Sequence, residues 1–360
     1  MPAGPLRDAT CPRGSLDAGR CRHGDVGACP RCCAGQRRRA VLRGLLGGAA
    51  GALVGPHAFA QDEYPRRPVT LVVPFAVGGI ADLSARVIAR AMNRTLGQSI
   101  VVENRPGAGG IVATSAVVNA SPDGHTVLLL SNANAISASL FRRLPYDVTR
   151  DLAPVGTLGY FDLALCVNAR TGFRTLPDLL AFARSNPGKL TIGTISIGST
   201  QHLAAELVRT RAGIDAVIVP YQGTPAVLAA VRSGEIDLAF EILGPTLPHI
   251  AGGALRPLAV SAGRRNRVLP TTPTVQEAGV AGYDVASWNA LAVPAGTPPA
   301  VIERLGEAVR QALRTPAVAQ RLLEMGVRPQ PSTPAELEAL LEREIRRWRE
   351  VIVAARIEPQ

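Results

Sequence analysis

The chain has 360 residues, 47% of them hydrophobic but only 4% aromatic, and a net charge of +11. Nine Arg and three Asp fall within residues 1–60, so +6 of that charge sits there and +5 remains for the other 300 residues, a length that makes about two domains. Scattered arginines and so few aromatics exclude a stacking platform or basic stripe for nucleic acid, although a mildly positive surface still attracts anionic ligands.

Residues 1–36 are rich in Gly, Pro, Arg and Cys and show no hydrophobic period. They read as a long leader region or an upstream start rather than a domain. Five of the six cysteines (Cys11, Cys21, Cys29, Cys32, Cys33) lie there, which leaves only Cys166 beyond them and excludes a disulfide framework. Cys29-x-x-Cys32-Cys33 has no second pair at ligand spacing, so no metal site is expected.

Next comes Gln36-Arg37-Arg38-Arg39-Ala40-Val41-Leu42-Arg43, then an apolar run, LLGGAAGALVG, and Ala58-Phe59-Ala60. A charged region, a short apolar region and an A-x-A site make an export signal. The run is far short of the roughly 20 apolar residues that span a bilayer. Arg38-Arg39-x-Val41-Leu42-Arg43 follows the twin-arginine pattern, an arginine-rich Sec signal being the alternative. The expected mature chain begins at Gln61, outside the cytoplasm, in the periplasm.

The stretch VTLVVPFAVGGIADLSAR (69–86) is the most informative. An apolar β-branched run breaks at Pro74, passes Gly78-Gly79 and enters an amphipathic segment near Asp82, which predicts strand, glycine turn and helix. Glycines let a ligand approach the backbone, and the bare N–H groups and dipole of a helix start favour an anion. The turn offers no nucleophile, base or metal ligand. Phe75, Ala76, Val77, Gly78, Gly79 and Asp82 are therefore candidate ligand contacts.

Further on, strands are expected at 71–75, 99–104, 126–131, 163–168, 189–194, 216–221, 236–241, 255–261 and 287–294. Helices are expected at 81–96, 109–120, 175–185, 200–212, 224–233, 245–252, 298–313, 315–325 and 334–354. Such alternation implies βαβ units and mainly parallel sheets in an α/β fold. Several strands end in small polar turns: Ser131-Asn132-Ala133-Asn134, Ser196-Ile197-Gly198-Ser199-Thr200, and Pro220 to Pro225 after the 216–221 strand. Ligands collect at the carboxyl ends of such strands. Ser131, Asn132, Asn134, Ser196, Gly198, Ser199, Thr200 and Tyr221 join the candidates, each hydroxyl having a helix cap as its plainer role.

The ordered set PFAVGGIADLSAR, VVENRPGAGG, SPDGHTVLL, LPYDVTRDLAPV, SIGSTQHLAAEL, VPYQGTPAVLAAVRSGEIDLAF and LPTTPTVQEAG…SWNALAVPAGTP resembles the Bug-type solute receptors of tripartite tricarboxylate transport, over essentially all of 64–360. The resemblance implies a bilobal Venus-flytrap binding protein, type II-like, whose two α/β lobes are joined by two crossing strands and close over a small carboxylate. It also implies that the turns at Phe75–Gly79 and Ser196–Thr200 hold the carboxylate through backbone N–H groups and water. Two departures bear on the pocket: Ala76-Val77 replace the usual prolines, and Glu241 stands where the family has Asp near the cleft. Lobe one is expected at 61–160 plus 290–360, lobe two at 165–283, with hinges within 156–168 and 282–294. Leu337, Leu340, Leu341, Ile345 and Trp348 recur at helical spacing and should pack on lobe one.

Catalytic patterns are missing from the sequence. Gly193-Thr194-Ile195-Ser196-Ile197-Gly198 does not have the spacing of a hydrolase elbow. His125, His202 and His249 form no zinc pattern, and Gly107 to Gly110 lack the dinucleotide fingerprint. No enzyme activity and no cofactor are expected. The expected partners are a small carboxylate and membrane transporter subunits, for a monomeric receptor. A receptor presenting its ligand to a membrane sensor kinase is the second reading, and a periplasmic enzyme acting on a carboxylate the third.

Overall fold

Apolar strands and amphipathic helices alternate along the chain, and the computed structural model describes residues 64–358. The extension and export signal read at 1–60 lie outside the described residues. In order, the elements are β1 (Val69–Val73), α1 (Ile80–Leu96), β2 (Ile100–Asn104), α2 (Ile111–Val118), β3 (Thr126–Ser131), α3 (Asn132–Leu140), β4 (Leu152–Asn168), α4 (Leu176–Ser185), β5 (Leu190–Ile195), α5 (Thr200–Ala212) and β6 (Ala216–Tyr221). They continue with α6 (Thr224–Ser233), β7 (Leu238–Ile242), α7 (Leu243–Ala251), β8 (Leu255–Val260), β9 (Ala286–Pro294), α8 (Pro299–Arg314), α9 (Pro316–Glu324), β10 (Val327–Pro329) and α10 (Pro334–Ala354).

The hydrogen-bonded strand order is β2-β1-β3-β9-β4-β7-β5-β6, with β8 and β10 also paired to β4. The fold is bilobal because β4 serves two sheets. Its first part, to Asp162, pairs antiparallel with β9, and Phe161 to Gly159 also pair with β10. From Leu163 to Asn168 the same strand pairs with β7 and β8. Register shifts at Pro154/Gly156, Thr157/Gly159 and Leu165/Cys166 mark bulges, which bend and twist a strand and so help it pass from one sheet to the other. The return crossing runs beside it: Ser261 N–H donates to Leu163 O at 2.9 Å, and Val285 N–H to Ser261 O at 2.9 Å, before β9 begins.

Within each lobe the strands joined by helices are parallel, as the βαβ pattern requires: β1 with β2 and β3, β5 with β6 and β7. The antiparallel pairs all involve the two crossing strands, β4 and β9. Three elements differ from the sequence reading, the shortest being β10, a strand at Val327–Pro329 that the sequence does not suggest. Residues 132–140 form helix α3, where the sequence reads only as a polar turn, and β4 begins at Leu152 rather than Leu163. ANAISASL interleaves its helix-forming alanines with Asn134, Ser137 and Ser139, which compete for the backbone and blur the amphipathic period, and packing on α10 supports the helix. The first part of β4, with its glycines and a proline, lacks a clean period of two because the bulges break it.

Apolar side chains from α3, α5, α10 and the neighbouring sheet faces merge into one core containing Trp288, Trp348, Leu163 and Leu203. Helices α1 and α8 cover the opposite face of lobe one, where Leu71, Leu129 and Leu291 meet Ile88 and Leu305. The C-terminal stripe behaves as core: Leu337 and Trp348 are fully buried, Leu340 and Leu341 nearly so. α10 starts with a capping box, in which Thr333 Oγ1 accepts from Glu336 N–H and Glu336 returns to Thr333 N–H, with Pro334 in the first turn. It reaches beyond lobe one, lying against α5 as well as α3 and β4.

Trp348 combines both kinds of contact, an indole buried in the core and an Nε1–H that donates to Asn132 Oδ1 at 2.9 Å. Trp348→Phe keeps most of the apolar area but leaves that acceptor short of its donor. It should lower stability by about 1–3 kcal/mol. Urea unfolding measures this, and an unchanged midpoint would show that the indole hydrogen bond contributes nothing.

Candidate functional site

Two glycine turns open helices on opposite lobes. The first, after β1, ends at Gly79, the N-cap of α1, which has no side-chain cap. Gly78 has φ +84, a left-handed conformation that favours glycine, and its N–H donates to Asp82 Oδ2 at 2.9 Å. Asp82 is buried and fully engaged, since its Oδ1 also accepts from Arg86 and from Asn104 Nδ2, both at 2.9 Å. Burial alone would raise its pKa, but the bonds from Arg86, Gly78 N–H and Asn104 hold it below the ordinary Asp value. Asn104 Nδ2 also donates to Phe75 O at 3.0 Å. The Asp82 carboxylate therefore braces the turn from behind. Ala76, Val77, Gly78 and Gly79 lie exposed on its outer side, and among the described residues the N–H groups of Val77 and Gly79 have no protein acceptor.

The second turn, after β5, leads into α5. Gly198 has φ +80, and a Cβ there would collide with Leu140 at the end of α3, so glycine is required twice over. Ser199 is the N-cap: its Oγ accepts from His202 N–H at 3.1 Å and donates to Ile195 O at 3.2 Å. That hydroxyl is spent on the cap, whereas the N–H groups of Gly198 and Thr200 have no protein acceptor among the described residues. Ser196 and Ile197 are exposed. His202 is buried, and burial first, then the Arg209 charge, lowers its pKa to about 4, so the imidazole is neutral at pH 7.

Between the turns lies a polar floor. Asn132, at the start of α3, donates from Nδ2 to Thr200 Oγ1 at 3.1 Å, and Thr200 Oγ1 lies 3.3 Å from Ser287 Oγ on β9. Asn134 is committed to its own lobe: Oδ1 accepts from Ser131 N–H at 3.0 Å and Nδ2 donates to Thr114 Oγ1 at 2.8 Å. Ser131 and Asn134 thus close the cap of α3. Gly110 links this cap to the first turn, since a Cβ there would lie 3.3 Å from Pro74 Cβ and 3.9 Å from Asn134 Nδ2. On the lobe-two side, Gly244 at the start of α7 faces Ile80 at the start of α1, and a Cβ on that glycine would lie 3.7 Å from Ile80 Cδ1.

Glu241, next to last in β7, lies just before that junction and is fully buried. Its Oε2 accepts from Thr224 Oγ1 at 2.9 Å, Ile242 N–H at 3.2 Å and Gln201 Nε2 at 3.4 Å, while Oε1 has no partner. Burial pushes its pKa up to about 7 against those three hydrogen bonds. Gln201 and Thr224, absent from the sequence candidates, are thus the groups that fix this carboxyl.

Tyr221 has a partner of its own in this structure: its hydroxyl donates to Glu235 Oε1 at 2.8 Å, and a Cβ on Gly193 would lie 3.4 Å from its ring. The structure brings the Phe75–Gly79 turn, Ser131, Asn132, Gly198, Thr200 and Glu241 to one end of the sheets, and it commits Asp82, Asn134, Ser199 and Tyr221 to supporting contacts. Ser287, whose hydroxyl meets Thr200, was absent from the sequence candidates, since a serine opening the apolar strand SWNALAVP carries no signal of its own.

No group of three metal-ligating side chains occurs among the described residues. The chemistry on offer is anion capture: bare N–H groups at two helix starts, hydroxyls and amides.

Residues 84–357 match the model of the tripartite tricarboxylate transporter family receptor. BugT of Bordetella pertussis is 35% identical over 295 residues, which cover 81% of this chain and 90% of BugT. An R. palustris protein solved with adipate superposes with a TM-score of 0.76 at 35% identity, covering 82% of this chain and all of its own. MatC of Rhodopseudomonas palustris, solved with malate, gives 0.72 at 33% identity, covering 80% of this chain and all of its own.

Because the folded state of Glu241 titrates near 7 against an ordinary 4.5, the native protein holds a proton that the unfolded chain has lost between those values. Its contribution to stability is full below 4.5 and declines as pH rises to about 7. Glu241→Gln keeps the acceptor and removes the titration. The variant should gain several degrees of melting temperature relative to the parent between pH 5 and pH 8. An identical difference at both pH values would assign the titration to another group.

Proposed function

The chain belongs to the tripartite tricarboxylate transporter receptor family and is a periplasmic solute-binding protein of that family, and we propose that it captures one small carboxylate between its lobes and delivers it to the membrane subunits of such a transporter. The observation that carries this reading is the pair of N–H sets without protein acceptors among the described residues, Val77/Gly79 on one lobe and Gly198/Thr200 on the other, the second joined to lobe one by the Asn132–Thr200 hydrogen bond. Two helix starts supply partial positive charge and donors to a carboxylate without any formal charge to desolvate. Adipate and malate in the related structures supply the ligand class, small organic acids. The protein works as a monomeric receptor and does not transform its ligand.

Lobe one comprises 61–160 with 290–360, lobe two 165–283, and the hinges fall within 156–168 and 282–294. The change of partners in β4 between Asp162 and Leu163, and the Ser261–Val285 bond before β9, support those limits. Closure rotates the lobes as rigid bodies about these two strands. The export signal is read by the twin-arginine route and cleaved after Ala60.

Two measurements test the reading. Titration of the purified protein with a carboxylate library should find a ligand that binds once per chain, raises the melting temperature, contracts the radius of gyration in solution scattering and is recovered unchanged. Steady conversion of a bound acid to product would overturn it.

Ser196→Asp sets a negative charge on an exposed residue beside the N–H groups of the second turn. The fold should be unaffected and affinity should fall at least tenfold, through like-charge repulsion in a cleft. Undiminished affinity would move the anion site away from this turn.

A further inference from the structure

Asn289 is 3% exposed, and neither its Oδ1 nor its Nδ2 has a hydrogen-bond partner. A primary amide carries two donors and an acceptor with two lone pairs, and burying all of them unpaired is costly. Replacing such a side chain with an apolar one would ordinarily help the fold, so its presence calls for an occupant.

Its place on the strand says where that occupant sits. Asn289 lies directly opposite Ser131 on β3, and residues opposite one another on antiparallel strands share a face. Ser287, two residues back along β9, shares that face too, and its Oγ lies 3.3 Å from Thr200 Oγ1. Asn289 therefore lies beside the residue that caps α3 in lobe one, and two residues along the same strand from the serine that meets Thr200 at the start of α5 in lobe two. Ser131 and Thr200 both have neighbours to bond: Ser131 caps α3 with Asn134, and Thr200 receives Asn132. The amide of Asn289 is left, among the described residues, with neither its donors nor its acceptor engaged.

We propose that Asn289 contacts the ligand and selects carboxylates that also carry a hydroxyl. This inference rests on the carboxylate-binding reading above. Nδ2–H donates to a carboxylate oxygen. At neutral pH a carboxylate has no proton to give back, so Oδ1 is satisfied only by a donor, and a hydroxyl beside the carboxyl group supplies one. An amide that must both donate and accept is thus matched by a hydroxy acid and half-met by its deoxy analogue. Sites built to pair a hydroxyl reject the analogue lacking it more strongly than apolar pockets reject a missing methylene.

The test uses the purified full chain and matched probes that differ by one hydroxyl: 2-hydroxyglutarate against glutarate, and citrate against tricarballylate. The parent should bind the hydroxylated member of at least one pair tenfold or more tightly. Asn289→Ala should cut that preference to less than threefold, mainly by weakening the hydroxylated probe, and should leave the ligand-free melting temperature unchanged or raised. Asn289→Leu serves as a second variant should the alanine leave a destabilising void. Retention of the preference in a folded variant would overturn the proposal. So would a lowered melting temperature with equal loss for both members of a pair, the signature of an amide that bonds a structural water. A parent that binds carboxylates without any hydroxyl preference would overturn this inference alone. A parent that binds no carboxylate at all would overturn the binding reading and this inference with it.

Discussion

The arrangement of the site depends on one chain of buried hydrogen bonds, Trp348 Nε1 to Asn132 Oδ1, Asn132 Nδ2 to Thr200 Oγ1, and Thr200 Oγ1 beside Ser287 Oγ. All four residues are less than a tenth exposed. In that setting each bond is expensive to leave unmade, so the four groups fix one another's positions. The C-terminal helix thereby sets the rotamer of an asparagine at the start of α3, and that asparagine registers the start of α5 from the other lobe. The mouths of two helices are held near each other by these buried contacts.

Supporting polar contacts repeat this logic around the site. Asp82 binds the Gly78 N–H, Arg86 and Asn104, and so shapes the first turn without offering it an exposed charge. Ser199 spends its hydroxyl on the cap of α5. What stays unpaired is backbone N–H, which carries partial positive charge at a helix start and suits an anion better than a neutral solute. A buried Glu241 with a raised pKa adds no full negative charge to repel an incoming acid around neutrality.

Most of the strands and helices were legible because their hydrophobic periods are clean, and the glycine turns were legible because strand, glycine pair and helix follow in order. Three things were not. Helix α3 has a sequence of small and polar residues whose helicity comes from packing on α10, a contact far away in the chain. The first part of β4 is obscured by bulges, which are what let the strand serve two sheets. Side-chain direction was also hidden: the strand–turn–helix pattern locates Tyr221 and Asp82 beside turns, but not that one hydroxyl points away to Glu235 or that one carboxylate faces inward.

The function of the two turns depends on where a carboxylate sits. A crystal structure of the protein grown with a tightly bound carboxylate tests this most directly. Carboxylate oxygens within hydrogen-bonding distance of the N–H groups of Val77 or Gly79 on one lobe and of Gly198 or Thr200 on the other would agree with it. A ligand held by side-chain cations elsewhere, with both turns facing only solvent, would contradict it.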